Sequence, residues 1–561
     1  MAESSSASGL VRKSSSAFGL DAARVAVSAN AMFARLARAA EKRLLPAEAI
    51  LDGTFLDQLA REHIADFMKV TPNRLAGARL ELTWGSICSG GEVVLFVLDS
   101  ISRAFQALEI TLTFTHRFSC ERQKPLQDWI SGVFEEAGVA CGCCFCRAEE
   151  MGQDQAWCAK HGRLCDVPGV DILIAGTSCK DFSKASNAQR EYKGSGTLVL
   201  GLPTSTGGSA ETFHGLCCYL ARHAVSIVLF ENVDTVDELP DDQSQKPLAT
   251  TTNLEVVVNE LEQAGLCVLS LLTDSALFGL PQQRRRYYLL AVKSAGSAHF
   301  SFAHIPLSEV FSTVRSFVSV CQRSSPCASE LILDQASGHV EAELNRRLAA
   351  GTKESTYNVS AYVNQFQGLG LRWGDVELPQ RVKDTPWFPT LSHREISVLS
   401  YSYAQQPQRT LYRDIGQSPA RIRYSKELAS GHVLGFCQLP KQVTWVEKED
   451  QPPRLMTSRE SLLLSGYPVE KIPWTMANAS ESLLQGISGS MMASVVPMAV
   501  LMSACLALPW RTTEQGLAAT SEDVTSAMAA FELATTSKGE DAEDEGNEQE
   551  EPQRRKFLRL S

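Results

Sequence analysis

Six short apolar runs, most of them separated by a helix-length stretch, limit this chain to few architectures. Leu80-Glu81-Leu82-Thr83-Trp84, the alternating Ile110, Leu112 and Phe114 that lead to Cys120-Glu121, Ile172 to Ala175, Val225 to Phe230, Cys267 to Leu272 and Arg286 to Val292 read as strands. Helical periodicity at Val94, Phe96-Val97, Ile101 and Phe105, and over 122–136, 211–223 and 253–264, falls between several of them. Such alternation predicts an α/β fold, a Rossmann-like, doubly wound and mostly parallel sheet. No internal repeat is visible. Open sheets of this kind bind ligands beyond the carboxyl ends of their strands, so the residues that follow each run are the first candidates for function.

Composition narrows the classes. At 561 residues, 44% hydrophobic and 21% charged, the chain reads as globular with two or three structural units. Its 16 cysteines include adjacent pairs, Cys143-Cys144 and Cys217-Cys218, and follow no secretory signal, which fits a reducing, intracellular compartment. A net charge of −11 excludes an overall basic coat, and residues 511–561 hold 12 acids against 6 Lys and Arg, so any nucleic-acid surface is a local patch. Met491 to Pro509 carries no charge, but Pro497, its small residues and the lack of a second span favour a helix buried on a sheet face over a membrane span. Residues 1–20 are Ser-rich and expected to be disordered. Residues 21–70 are helical and basic, an N-terminal extension with an organellar transit peptide as the alternative, although Asp21 and Glu41 interrupt the pattern. Glu540 to Glu551 followed by Arg554-Arg555-Lys556 reads as a solvated acidic tail with a nuclear-type basic cluster, giving the expectation of a nuclear protein.

Chemistry concentrates at strand ends. Gly176-Thr177-Ser178-Cys179-Lys180-Asp181-Phe182-Ser183 follows the third run and reads as a nucleophile loop; the alternative for Cys179 is a small buried hydrophobe. The turn after the first run, Gly85 to Glu92, lacks the spacing of a dinucleotide fingerprint or a phosphate loop. Gly90 and Gly91 allow close backbone approach, and Glu121 at the end of the second run is placed to accept hydrogen bonds from ribose hydroxyls, or is only a solvated carboxylate at a helix start. Ribose without phosphate points to S-adenosyl-L-methionine.

Four further segments join these: Phe230-Glu231-Asn232-Val233, Gly279-Leu280-Pro281-Gln282-Gln283-Arg284-Arg285-Arg286, RLMTSRESLLLSGYP over 454–468, and GSMMASVVP over 489–497. With the Cys179 loop, their order and spacing resemble the cytosine-5 DNA methyltransferase family over about 79–300 and 450–508. The resemblance implies a methyltransferase domain that uses S-adenosyl-L-methionine, with Cys179, Glu231, Arg284 and Arg286 as catalytic residues around a flipped cytosine. It places Cys88, Ser89, Gly90, Gly91, Glu121, Glu150, Gly176 and Ser490 at the cofactor, and Ser183, Asn232 and Gln282 at the substrate. It also implies an extension over 1–78, a catalytic domain over 79–293, a target-recognition region over 294–453, a return over 454–510 and a tail over 511–561. Within the recognition region Arg409, Arg413, Arg421 and Arg423 interleave with aromatics as a phosphate-contacting face does, or as a solvated strand does. The chain departs from the family at Thr177-Ser178 where Pro-Pro is usual, at Lys180 for Gln, at Glu92 for Gly and at Ser490 for Asn, which puts the stiffness of the loop in question. Three functions are compatible with these motifs: methylation of DNA, methylation of tRNA, and a catalytically weakened DNA-binding or scaffolding homologue. The cluster Cys141, Cys143, Cys144, Cys146, Cys158, His161 and Cys165 has enough ligands for zinc, but its irregular spacing makes reduced cysteines the expectation and no metal is assigned.

Overall fold

The computed structural model describes residues 36–39, 43–69, 79–88, 90–179, 181, 208–238, 251–303, 305–351, 359–373, 376–417, 434, 437–439, 442–448 and 450–511. Its centre is a nine-stranded sheet built from β1 (Arg79–Ile87), β2 (Thr111–Cys120), β3 (Cys143–Phe145), β4 (Gln155–Cys158), β5 (Arg163–Asp166), β6 (Ile172–Ala175), β7 (Ile227–Val233), β8 (Leu266–Asp274) and β9 (Arg285–Lys293), in the order β5-β4-β3-β2-β1-β6-β7-β9-β8. The five strands from β3 to β7 run parallel. β9 lies antiparallel between β7 and β8, and the β4-β5 hairpin extends the other edge. β1 is followed in sequence by β2 on one side while β6 lies on its other, so the strand order reverses there and opens a crevice at the carboxyl ends of β1 and β6.

The strand runs are apolar because both faces are covered. Every residue of β6 and β7 is buried. Along β6, Ile172 and Ile174 enter one hydrophobic core while Leu173 and Ala175 enter the other, as the two-residue period of a strand requires. The first face carries α1 (Phe55–Met68), α2 (Val94–Gln106), α3 (Lys124–Glu136), α6 (Leu307–Val320) and α7 (Val495–Ala507); the second carries α4 (Gly208–Arg222) and α5 (Asn253–Gln263). α7 is buried from Val495 to Leu506, which accounts for its uncharged sequence. No single described helix is long and apolar enough to cross a membrane.

Two of these helices fall outside the limits drawn from sequence for the catalytic domain. α1 belongs to the sheet's own core rather than to an extension, and α6, with Leu331 and Ile332, packs there as well, past residue 294. A separate core begins at Val340 and gathers Trp387, Leu391, Val398, Leu399, Tyr403, Ile415 and Trp445 against the three-stranded sheet β10 (Tyr412–Asp414), β11 (Thr444–Val446) and β12 (Arg454–Leu455). The chain crosses back at Leu455-Met456, whose side chains enter the two cores in turn.

Candidate active site

The crevice between β1 and β6 brings two turns into contact. The Gly176 N–H donates to Ile87 O at 3.0 Å, and a Cβ on Gly176 would stand 2.9 Å from Cys88 O. Glycine is therefore required where the turns cross. In the first turn Cys88, Gly90 and Glu92 all have left-handed backbone, with φ of 57°, 70° and 55°. For the two residues with side chains this costs roughly 1–2 kcal/mol each. Glu92 thus holds the conformation of the glycine that the motif leads one to expect, and Ser86 Oγ donates to its buried carboxylate. Gly91 O accepts from Tyr467 OH at 2.8 Å and from Trp129 Nε1 at 3.3 Å, which fixes the turn from behind. Ser490 meets the same turn: a Cβ on Gly90 would lie 3.4 Å from Ser490 Oγ. Glu121, just beyond β2, receives the Gln123 N–H on its carboxylate at 3.0 Å. Burial, and then the charges of Glu121 and Glu149, push the Cys88 thiol up to about 12.

The second turn carries Cys179. Its thiol is pushed above its ordinary value by burial and by Glu231, against the pull of Arg286 and Arg284. Glu231, near the end of β7, is raised in turn by burial, and Arg286 and Arg284 oppose that shift. Arg286 Nε lies 3.3 Å from Glu231 Oε1, an ion pair in which both side chains are about 90% buried. Glu231 Oε1 has no hydrogen-bond partner among the described residues. Thiol, carboxyl and guanidinium thus act on one another electrostatically, the carboxyl and guanidinium buried and the thiol half-buried.

The family model for C-5 cytosine-specific DNA methylase matches residues 153–501. The chain belongs to this family. It is 27% identical over 469 residues to a DNA (cytosine-5-)-methyltransferase DMT5 of Cryptococcus neoformans var. grubii, covering 79% of this chain and 18% of that protein. It is 22% identical over 481 residues to a DMT5 of Verticillium dahliae, covering 74% and 19%. The chain therefore spans about a fifth of the length of these curated relatives. A solved structure, Schizosaccharomyces pombe Dnmt2 methyltransferase, aligns at 12% identity with a TM-score of 0.37, covering 75% of this chain and 97% of that one.

Within this cytosine methylase chain several residues stand elsewhere than expected. Arg284, read from sequence as catalytic, acts electrostatically on Cys179 and Glu231, and it is 3% exposed and donates through Nη2 to Met491 O at 2.5 Å and Gly489 O at 3.1 Å, so it also ties the last motif to the site. Gln282, read as substrate-binding, is fully buried. Its amide donates to Leu464 O and Ser465 Oγ, both at 3.1 Å, and accepts the Gln438 N–H at 2.9 Å. Asn232 is likewise buried, its Nδ2 3.3 Å from both Thr177 O and Thr177 Oγ1. With the Ser178 N–H donating to Thr212 Oγ1 at 3.0 Å, this fastens the loop that lacks the usual prolines. Hydrogen bonds here take the place of ring constraint.

Arg413, expected to face phosphates, has no exposed side-chain surface. Its guanidinium lies 3.9 Å over the Tyr403 ring and pairs with Glu447 at 3.2 Å, because an Arg that stacks on an aromatic can do so inside a core. Arg409 shares Glu447 at 3.9 Å and remains about one-third exposed. Glu150 pairs with Arg147 at 3.8 Å and acts on Cys146, whereas the adjacent Glu149 acts on Cys88 and Cys120 beside the first turn. Both carboxylates lie within 4.0 Å of the Arg147 guanidinium, and it is Glu149 whose charge acts on the Cys88 thiol of the first turn. Thr212 and Trp129 also serve the turns with no motif to mark them, and Tyr467 does so from within the 454–468 motif. Ser89, Lys180, Ser183, Arg421 and Arg423 lie outside the described residues.

Proposed function

We propose that this chain is the catalytic region of a DNA cytosine-5 methyltransferase that takes its methyl group from S-adenosyl-L-methionine and works through a covalent Cys179 adduct with a flipped cytosine. The observation that carries the proposal is the buried pair of Glu231 and Arg286 acting on the half-buried Cys179 thiol, with one carboxylate oxygen left without a hydrogen-bond partner among the described residues. Support for the cofactor comes from the crevice at the carboxyl ends of β1 and β2, where the glycine turn and the Glu121 carboxylate lie and where Glu149 acts electrostatically on Cys88. When bound, S-adenosyl-L-methionine supplies an electrophilic methyl group on a sulfonium.

The chain's residues make the ring able to receive it. Cytosine carbon 5 is a poor nucleophile, so Cys179 attacks carbon 6 as thiolate and forms an S–C bond while the ring electrons shift toward nitrogen 3. Arg286 favours the thiolate electrostatically. Glu231, its proton held more tightly by burial, donates to nitrogen 3 and stabilises the enamine whose carbon 5 takes the methyl group. A base then takes the carbon-5 proton, which re-forms the double bond to carbon 6 and expels the Cys179 thiolate, and nitrogen 3 returns its proton to the Glu231 carboxylate. A base stacked in a duplex is out of reach of the thiol, so the nucleotide must be extruded.

Loop fastening is part of this account. Asn232→Ala removes both links to Thr177 and is expected to lower kcat by roughly 10- to 100-fold, about 1–3 kcal/mol, while the Kd for S-adenosyl-L-methionine is unchanged. Single-turnover rates alongside equilibrium binding check it.

The adduct itself is testable with DNA that carries 5-fluorocytosine. Fluorine at carbon 5 cannot leave as a proton does, so after methyl transfer the S–C bond persists. A covalent protein–DNA complex that survives denaturation and requires S-adenosyl-L-methionine is expected from the native chain and not from Cys179→Ser. A complex formed by both refutes Cys179 as the nucleophile.

A further inference from the structure

The cysteine-rich segment between β3 and β6 forms the outer edge of the sheet. Its hairpin has little packing of its own: no residue of β5 is buried, and Trp157 and Leu164, opposite one another across the strands, are 47% and 57% exposed. A two-stranded hairpin with so small an apolar face is marginal in water. Yet four side chains from separate pieces of this edge converge. Cys143 comes from β3, Cys158 from the end of β4, His161 from the turn and Cys165 from β5, and their ligand atoms all lie within 4.8 Å of one another.

The three sulfurs surround a single nitrogen. His161 Nδ1 is 3.3 Å from Cys158 Sγ, 3.4 Å from Cys165 Sγ and 3.7 Å from Cys143 Sγ. Around a tetrahedral zinc ion with Zn–S of about 2.3 Å and Zn–N of about 2.0 Å, the sulfur-to-nitrogen edge is about 3.5 Å. The observed spacings bracket that value. A disulfide between two of the cysteines would leave the third sulfur and the imidazole unexplained, and the six described cysteines of this edge, Cys141, Cys143, Cys144, Cys146, Cys158 and Cys165, are all free. An outer partner is present too: the Cys144 N–H points at Cys158 Sγ at 3.3 Å, as backbone amides do toward metal-bound thiolates.

We infer that Cys143, Cys158, His161 and Cys165 bind one structural zinc ion that staples the β4-β5 hairpin to β3. Three thiolates and one imidazole in closed tetrahedral array are the donor set of structural rather than catalytic zinc, and they disfavour hard cations. On binding, three S–H protons pass to solvent and three Zn–S bonds form, leaving a net charge of −1. Lys160 offsets it, with its ammonium donating to Cys141 O beside the site at 2.5 Å. The irregular spacing in sequence has a simple cause: one ligand is supplied by a parallel strand and three by the hairpin that follows. This site is independent of the methyl-transfer chemistry.

The test is elemental analysis of the full chain, grown with added zinc and purified without chelator. About one zinc per chain is expected. Cys158→Ser and His161→Ala should each lose it, His161→Cys should keep it because four thiolates also bind zinc, and Cys217→Ser should keep it as a control. Should Cys158→Ser fail to fold, chelation of the native chain supplies the second readout: Tm falls by several degrees and recovers when zinc is restored. Cobalt in place of zinc should give the intense visible bands of tetrahedral thiolate coordination. Less than about a tenth of an equivalent of zinc in the native chain, or full zinc content in His161→Ala, overturns the inference.

Discussion

Cys179→Ala is expected to lower methyl transfer to cytosine by on the order of 10⁴-fold or more, with little change in the affinity for S-adenosyl-L-methionine. The two effects separate because the groups stand on different strands. Cys179 follows β6, whereas the glycine turn follows β1 and Glu121 follows β2. Removing the thiol takes away the nucleophile that acts with the buried Glu231–Arg286 pair, and carbon 5 then has no route to an enamine. The side chain is half-buried and small, so its truncation leaves no large void, and a loss of activity with unchanged Tm identifies chemistry rather than folding. Single-turnover transfer and equilibrium binding of the methyl donor measure the two quantities separately.

Glu231→Gln is expected to lower the rate by about 10²- to 10⁴-fold and to change the shape of its pH dependence. In the native chain the reactive form has Glu231 protonated and Cys179 ionised. Glu231 titrates above the usual carboxylate range and Cys179 above the usual thiol range, both chiefly through burial. Below the Glu231 value the rate rises with pH as thiolate accumulates. Between the two values the gain in thiolate is cancelled by loss of the Glu231 proton, so the profile is flat. Above the Cys179 value it falls. Glutamine cannot titrate, so in the variant only the thiolate matters and the rate climbs through the whole neutral range, about tenfold per pH unit. A flat neutral profile in Glu231→Gln would remove Glu231 from the proton transfer.

Much of this site was legible because strand ends are where sequence and function coincide in an open sheet. The runs at 172–175, 225–230 and 286–292 are largely apolar since they are covered on both faces, and that same burial gives Glu231 its raised affinity for a proton. The edge was harder to read. β3, β4 and β5 are three or four residues long, rich in cysteine and too short to show a period. Polar residues that the motifs suggest for substrate or catalysis are used internally by the fold. Gln282 and Arg284 satisfy backbone carbonyls at 464 and 489–491, and Asn232 holds the nucleophile loop, contacts made across more than 50 positions of chain. Arg413 shows why alternating cations and aromatics are ambiguous: stacking on Tyr403 and pairing with Glu447 satisfy the guanidinium as fully in a core as phosphates would on a surface.

Labelled methyl transfer from S-adenosyl-L-methionine, run in parallel on DNA and tRNA pools with the native chain and Cys179→Ala, tests the central proposal most directly. The account predicts label in DNA, located on carbon 5 of cytosine and absent with the variant. Label in tRNA alone, or cofactor binding with no transfer to either pool by the native chain, would contradict it.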